Sequence, residues 1–120
     1  MGAGAASTLK VNVFKNPPQP PYIAVIFSSQ RTDGDNGYGL MADRMAELAA
    51  QQPGFLGVEC VRGADGFGIT VSYWQDEMSI AAWKRNTEHS EAQHKGKAQW
   101  YDSYVTHVAR VERVYSEPRG

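Results

Sequence analysis

The stretch Phe55–Trp74, FLGVECVRGADGFGITVSYW, decides the fold. Its two halves, Phe55–Arg62 and Phe67–Trp74, are strand-like runs rich in β-branched and aromatic residues. Between them GADG supplies Asp65 and Gly66, residue types that accept positive φ, so the two runs are expected to fold back on each other as an antiparallel hairpin. On the N-terminal side, apolar residues recur from about Tyr38 to Gln52 at Tyr38, Met41, Met45 and Leu48, with Ala42 and Ala49 beside them, while Asp43, Arg44 and Glu47 fall elsewhere. That spacing predicts an amphipathic helix, stopped by Pro53 and Gly54. Before it, YIAVIFSS over Tyr22–Ser29 reads as a strand that ends where QRTDGDNG supplies turn residues. On the C-terminal side, Asp76 is an N-cap candidate and Glu77 puts an acid in the first turn of a second helix carrying Met78, Ala81, Ala82 and Trp83. This helix is expected to run on, with a bend or break near Thr87, to about Tyr101. A last strand is expected over Tyr104–Ser116, with Tyr104, Val108 and Val114 on one parity and Val105, Ala109, Val111 and Tyr115 on the other.

The resulting order, βαββαβ, is that of an α+β, ferredoxin-like domain: an antiparallel sheet with helices on one side. The first strand is apolar on both parities, Tyr22, Ala24 and Ile26 against Ile23, Val25 and Phe27, yet two helices cover only one face of such a sheet. A bare apolar face of this size is a sticky patch. A second copy of the chain is therefore expected to cover it, giving a homodimer with the two sheets face to face.

Composition narrows the function classes. With 120 residues, 42% apolar and 21% charged, the chain has the balance of one globular domain. Twelve basic against thirteen acidic side chains give a net charge of −1, without the basic excess of a nucleic-acid binder. The longest apolar run, Ile23–Phe27, is far short of the roughly 20 residues that span a bilayer, so no membrane partner is expected. The N-terminus MGAGAASTLK has neither a basic n-region nor an apolar h-region, which points to the cytoplasm. Cys60, the one cysteine, makes no intrachain disulfide and reads as a small hydrophobe. Residues 1–21, ending in NPPQPP, form a flexible or extended N-terminal arm; 22–116 form the domain; 117–120 are a C-terminal tail.

The segments YIAVIFSSQR, QQPGFLGVE, RGADGFGITVSYW, AAWKRNTEH and HVARVERVY together resemble the antibiotic biosynthesis monooxygenase (ABM) family. The resemblance covers Tyr22 to Tyr115. It implies a dimeric α/β barrel with a pocket in each subunit between helices and sheet. Family members include cofactor-free oxygenases of aromatic polyketides, heme-degrading oxygenases, enzymes that process small signal molecules, and proteins without established activity. The heme-degrading pattern has a helix tryptophan, an iron-ligating histidine ten residues on, and an asparagine on the first strand. Trp83 matches the tryptophan, but ten residues on stands Gln93, with His94 one place later, and the strand offers Ser28 and Ser29. One residue on a helix turns a side chain by about 100°, so His94 does not fit the pattern and heme is not expected as a cofactor.

In a continuous helix, Trp83, Asn86, His89 and Gln93 share one face. Cofactor-free oxygenation requires the organic substrate to lose a proton and pass an electron to oxygen, which calls for a base and for hydrogen bonds to the resulting anion. His89 is the candidate base, Asn86 and the Trp83 indole N–H the candidate oxyanion donors, and Tyr73 a further donor. Gln93 and Trp100 are further candidates for substrate contact. Against this stand structural roles: Trp83 as a core anchor, His89 as a solvated histidine, Trp74 and Trp100 as padding, and His107 at a subunit interface. Arg62, Arg85 and Arg110 are either anion contacts or solvated surface charge. His89 and His94, five apart, lack the four-residue spacing of a helical metal pair, and no phosphate-binding or metalloprotease motif occurs, so neither metal nor nucleotide cofactor is expected. The leading expectation is a cofactor-independent monooxygenase that takes O2 and a small aromatic or quinol-like molecule. The alternatives are a non-catalytic binding or interaction module of the same fold and an isomerase or signal-molecule processing enzyme.

Overall fold

Alternation of apolar residues along the strands is realised as one antiparallel sheet. The computed structural model describes residues 7–10, 17–34, 37–86 and 100–117. Its elements are β1 (Ser7–Lys10), β2 (Tyr22–Arg31), α1 (Tyr38–Ala50), β3 (Phe55–Arg62), β4 (Phe67–Trp74), α2 (Glu77–Lys84) and β5 (Tyr101–Val111). The sheet order is β1-β3-β4-β2-β5. From β2 onward this is the expected ferredoxin-like βαββαβ plan. Within the N-terminal arm, Ser7–Lys10 adds a strand at the β3 edge, pairing Ser7 with Arg62 and Lys10 with Glu59.

The hairpin has the expected bounds. Gly66 takes φ 90° at the turn, Gly63 and Phe67 close it by a backbone hydrogen bond of 2.8 Å, and the Asp65 carboxylate accepts from Phe67 N–H at 3.0 Å. Pairing in register sorts the side chains into two sets. Trp74 lies opposite Ile23 and Phe55, Ser72 opposite Val25 and Val58, Thr70 opposite Phe27 and Cys60, and Gly68 opposite Ser29 and Arg62. These line the side that α1 and α2 cover, α1 resting on β3 and α2 on β4. Tyr73, Val71, Ile69 and Phe67, with Ala24, Ile26, Glu59, Val61 and, from β5, Val105, His107 and Ala109, point to the outer side.

Both helices start as the sequence indicates. The expected face of α1 is half-buried at Tyr38, Met41, Met45 and Leu48, while Asp43, Arg44 and Glu47 are exposed. Asp76 caps α2, accepting from the Ser79 N–H at 2.9 Å. The second helix breaks close to Thr87, where a bend or break is expected: α2 stops at Lys84, where Asn86 N–H turns back to the Trp83 carbonyl, an i→i−3 closure beside an asparagine of low helix propensity, and the expected continuation toward Tyr101 falls on the residues that follow. Residues 87–99 lie outside the described residues. The last strand is corrected, from Tyr104–Ser116 to Tyr101–Val111. It stops at Val111 because its partner there is Tyr22, the first residue of β2, so the segment beyond has no neighbour to pair with.

Candidate functional site

On the helix-covered side, aromatic side chains gather at both ends of the sheet. At the β4 C-terminal end, Trp74 is 1% exposed, its indole N–H donating to Ser72 Oγ at 2.9 Å. Phe55 meets it edge-on at 5.5 Å, and Trp83 from α2 stacks on it at 6.0 Å with 26° between ring planes. Removing a side chain as buried as Trp74 costs about 3–5 kcal/mol, so this stack anchors α2 to the sheet.

The other end is six residues away along β4, about 20 Å. There Ser29, 2% exposed, sits under the Arg62 guanidinium, which donates from Nη2 to Ser29 Oγ at 2.8 Å and from Nη1 to Ser29 O at 3.3 Å and Gly66 O at 2.6 Å. A fourth contact reaches the Tyr38 hydroxyl at 3.5 Å. Gly68 makes this possible: a Cβ there would lie 2.8 Å from Arg62 Cζ. Tyr38, the first residue of α1, meets Tyr101 edge-on at 5.9 Å and Trp100 at 5.8 Å. The Arg31 guanidinium lies 3.9 Å from the Tyr38 ring centroid and donates to the carbonyls of Gly34 and Trp100. Phe27 packs against Tyr101 at 5.3 Å and Tyr104 at 5.5 Å. Tyr101 and Tyr104 are three apart, which in a regular strand puts them on opposite faces. The register shift between Gln30 and Arg31 brings both to the Phe27 side.

Burial is the main cause that pushes the Tyr101 phenol well above its ordinary range, and the charge of Tyr38 and a hydrogen bond to it act the same way; Arg62 and Arg31 pull in the opposite direction. Tyr101 thus keeps its proton and can donate a hydrogen bond at neutral pH.

The candidates from the sequence are dispersed. Trp83 stands at the first end and Trp100, 4% exposed, at the second. Tyr73 is on the outer side, away from both. Its hydroxyl donates to Glu59 Oε1 at 2.9 Å, its ring meets Tyr22 edge-on, and burial with the Glu59 carboxylate raises its pKa to about 12. Asn86 lies beyond the end of α2, and His89, Gln93 and His94 fall outside the described residues. Of the three arginines, Arg62 is built into the site, whereas Arg85 at the α2 C-cap and Arg110 on β5 are exposed. Ser29, Tyr38 and Arg31 are not singled out as site residues by the sequence, whereas Tyr101 and Tyr104 are candidates there, beside Trp100, for closing the pocket or padding the dimer. Strand parity links Ser29 with Phe27, but nothing local ties either to Arg62. Among the described residues, no cluster of three metal-ligating side chains occurs and no helix is long and apolar enough to cross a membrane.

Comparison with known proteins agrees with this architecture. A curated relative, the uncharacterized protein YqjZ of Bacillus subtilis, is 58% identical over 96 residues, covering 80% of this chain and 84% of its own. Among crystal structures, SnoaB, a cofactor-independent oxygenase from Streptomyces nogalater, superposes with a TM-score of 0.70 at 13% identity, covering 82% of this chain and 100% of SnoaB. Rv0793 from Mycobacterium tuberculosis gives 0.69 at 11% identity over 79% of this chain and 99% of its own. At these identities the structures speak for the fold alone. Residues 21–95 match the family model for antibiotic biosynthesis monooxygenase, and the chain belongs to that family.

Proposed function

We propose that this protein is a cofactor-independent monooxygenase acting on a small aromatic or quinol-like molecule bound between helices and sheet. The observation that carries the reading is the aromatic lining of the helix-covered side, Trp74, Trp83 and Phe55 at one end and Phe27, Tyr38, Tyr101 and Tyr104 at the other. Family membership supports it, as does a fold shared with a cofactor-independent oxygenase. Such walls hold a planar substrate and exclude water, which strengthens hydrogen bonds to an anion formed there.

In this reading His89 removes the proton from the substrate carbon, Asn86 and the Trp83 indole N–H hydrogen-bond the resulting oxyanion, and Gln93 contacts the substrate, while Trp100, at the opposite end, closes the chamber. The anion passes one electron to O2, the radical pair combines at carbon, and loss of water leaves a new carbonyl, so one oxygen atom enters the product and the other leaves as water. Tyr73, facing the outer side, takes no part in this chamber. The working unit is a homodimer joined through the outer faces, a reading supported by the exposed apolar side chains Val61, Phe67, Ile69 and Val105 on that side.

The test is oxygen uptake by purified, metal-stripped protein against a panel of anthrones and quinols. Uptake above the uncatalysed rate that is lost in a folded His89→Ala variant is expected. Silence across the panel, with none of the compounds binding, overturns the reading and favours a binding module; binding without uptake favours non-oxidative proton-transfer chemistry.

A further inference from the structure

We propose that the Arg62 end of the helix-covered side is an anion subsite for a planar aromatic molecule: the Arg62 guanidinium, with the Tyr38 and Tyr101 phenols, takes a carboxylate or phenolate oxygen while Phe27 and Tyr104 pack the ring. The inference deepens the oxygenase reading and rests on it only for the use of this side of the sheet as a substrate chamber.

The argument begins with charge. Arg62 is half-buried and its hydrogen bonds all go to neutral oxygens, those of Ser29, Gly66 and Tyr38. A cation drawn out of water is ordinarily matched by a carboxylate, because neutral acceptors orient it without cancelling its charge. Among the described residues, Arg62 has no carboxylate partner and its Nε–H donates to no protein atom. A second guanidinium, Arg31, lies against the same Tyr38 ring.

Geometry comes next. Ser29, Gly66 and the missing side chain at Gly68 fix the guanidinium plane, and such preorganisation favours an anion over the water it displaces. Arg62 lies 5.7 Å from the Tyr38 ring centroid and 5.9 Å from that of Tyr101, within reach of a ligand oxygen placed at the phenols. Tyr101 stays protonated and can donate. The aromatic wall continues away from the charge through Phe27 to Tyr104, which is 39% exposed and leaves that flank open. Charge at one end and flat rings along the side select an aryl group bearing an anionic oxygen.

The test compares 2-naphthoate with 2-naphthamide, nearly equal in size and differing in charge, by calorimetry on the full chain. A preference for the acid of at least about tenfold is expected in the unaltered protein. It should shrink to within about twofold in Arg62→Gln and persist in Arg85→Gln, which removes an exposed charge elsewhere. In the unaltered protein the Arg62 Nε–Hε NMR signal should shift on adding naphthoate, a readout that holds even where Arg62→Gln fails to fold. Equal binding of acid and amide, no binding of naphthoate, an unmoved Arg62 signal, or a preference that survives in Arg62→Gln each overturns the subsite. Oxygen uptake on anthrones unchanged in Arg62→Gln, together with unselective binding, sinks the subsite and leaves the oxygenase. Naphthoate bound at Arg62 with no turnover of any quinol does the reverse.

Discussion

Arg62 and Ser29, 33 residues apart, are joined twice, the guanidinium donating to both the hydroxyl and the backbone carbonyl of the serine. Gly68 lies between them in the sheet, opposite both. This contact fixes a cation at one end of the helix-covered side, while the stacked tryptophans hold the other.

Gly68→Ala places a Cβ 2.8 Å from Arg62 Cζ and 3.0 Å from the Val61 carbonyl. The backbone oxygen cannot retreat as a side chain can, so a loss of about 1–3 kcal/mol in urea denaturation is expected. A variant as stable as the parent would show that the strands shift freely here.

Ser29→Ala leaves two tests in one residue. The buried hydroxyl accepts from Arg62, so its loss should cost about 1–2 kcal/mol and loosen the guanidinium. Chemical denaturation measures the first effect; broadening of the Arg62 side-chain NMR signal reports the second.

Tyr73 should titrate late. Its pKa is raised from 10.0 to about 12 by burial first and by Glu59 second. Because the folded value lies above the unfolded one, the protonated phenol contributes stability fully below pH 10 and loses it as pH climbs toward 12. Absorbance titration at alkaline pH should show Glu59→Gln bringing this phenol's ionisation down toward the ordinary range. No change in that variant would mean the Tyr73–Glu59 hydrogen bond is not formed in solution.

Asp76 should matter at the acid end. Hydrogen bonds from Ser79 lower its pKa in the folded chain. Its contribution is present above the unfolded value of 3.8 and disappears as pH falls through the depressed one. Thermal melts should show Asp76→Ala lowering Tm at neutral pH, with the gap to the parent closing below that range.

The outer face should carry self-association. Ile69 is 41% exposed there and Val105 48%. In sedimentation at micromolar concentration the parent should run at twice the 13.2 kDa chain mass, and Ile69→Asp should run as the single chain. A parent that sediments at 13.2 kDa removes the dimer.

The hairpin, the start of α1, the Asp76 cap and the order of elements from Tyr22 onward follow from the sequence by itself, because each is set within a few residues. Period-two alternation, a glycine at positive φ and a carboxylate three residues before a free N–H need no distant partner. Adjacent residues in a strand face opposite sides, so the same rule already separates Tyr73 from Trp74. Where β5 ends was decided elsewhere, by where β2 begins. Only the tertiary structure set Arg62 on Ser29 and turned Tyr101 to the side of Tyr104. Strand register and one bulge made those contacts, and pairing between segments 33 residues apart leaves no trace in the local pattern of either.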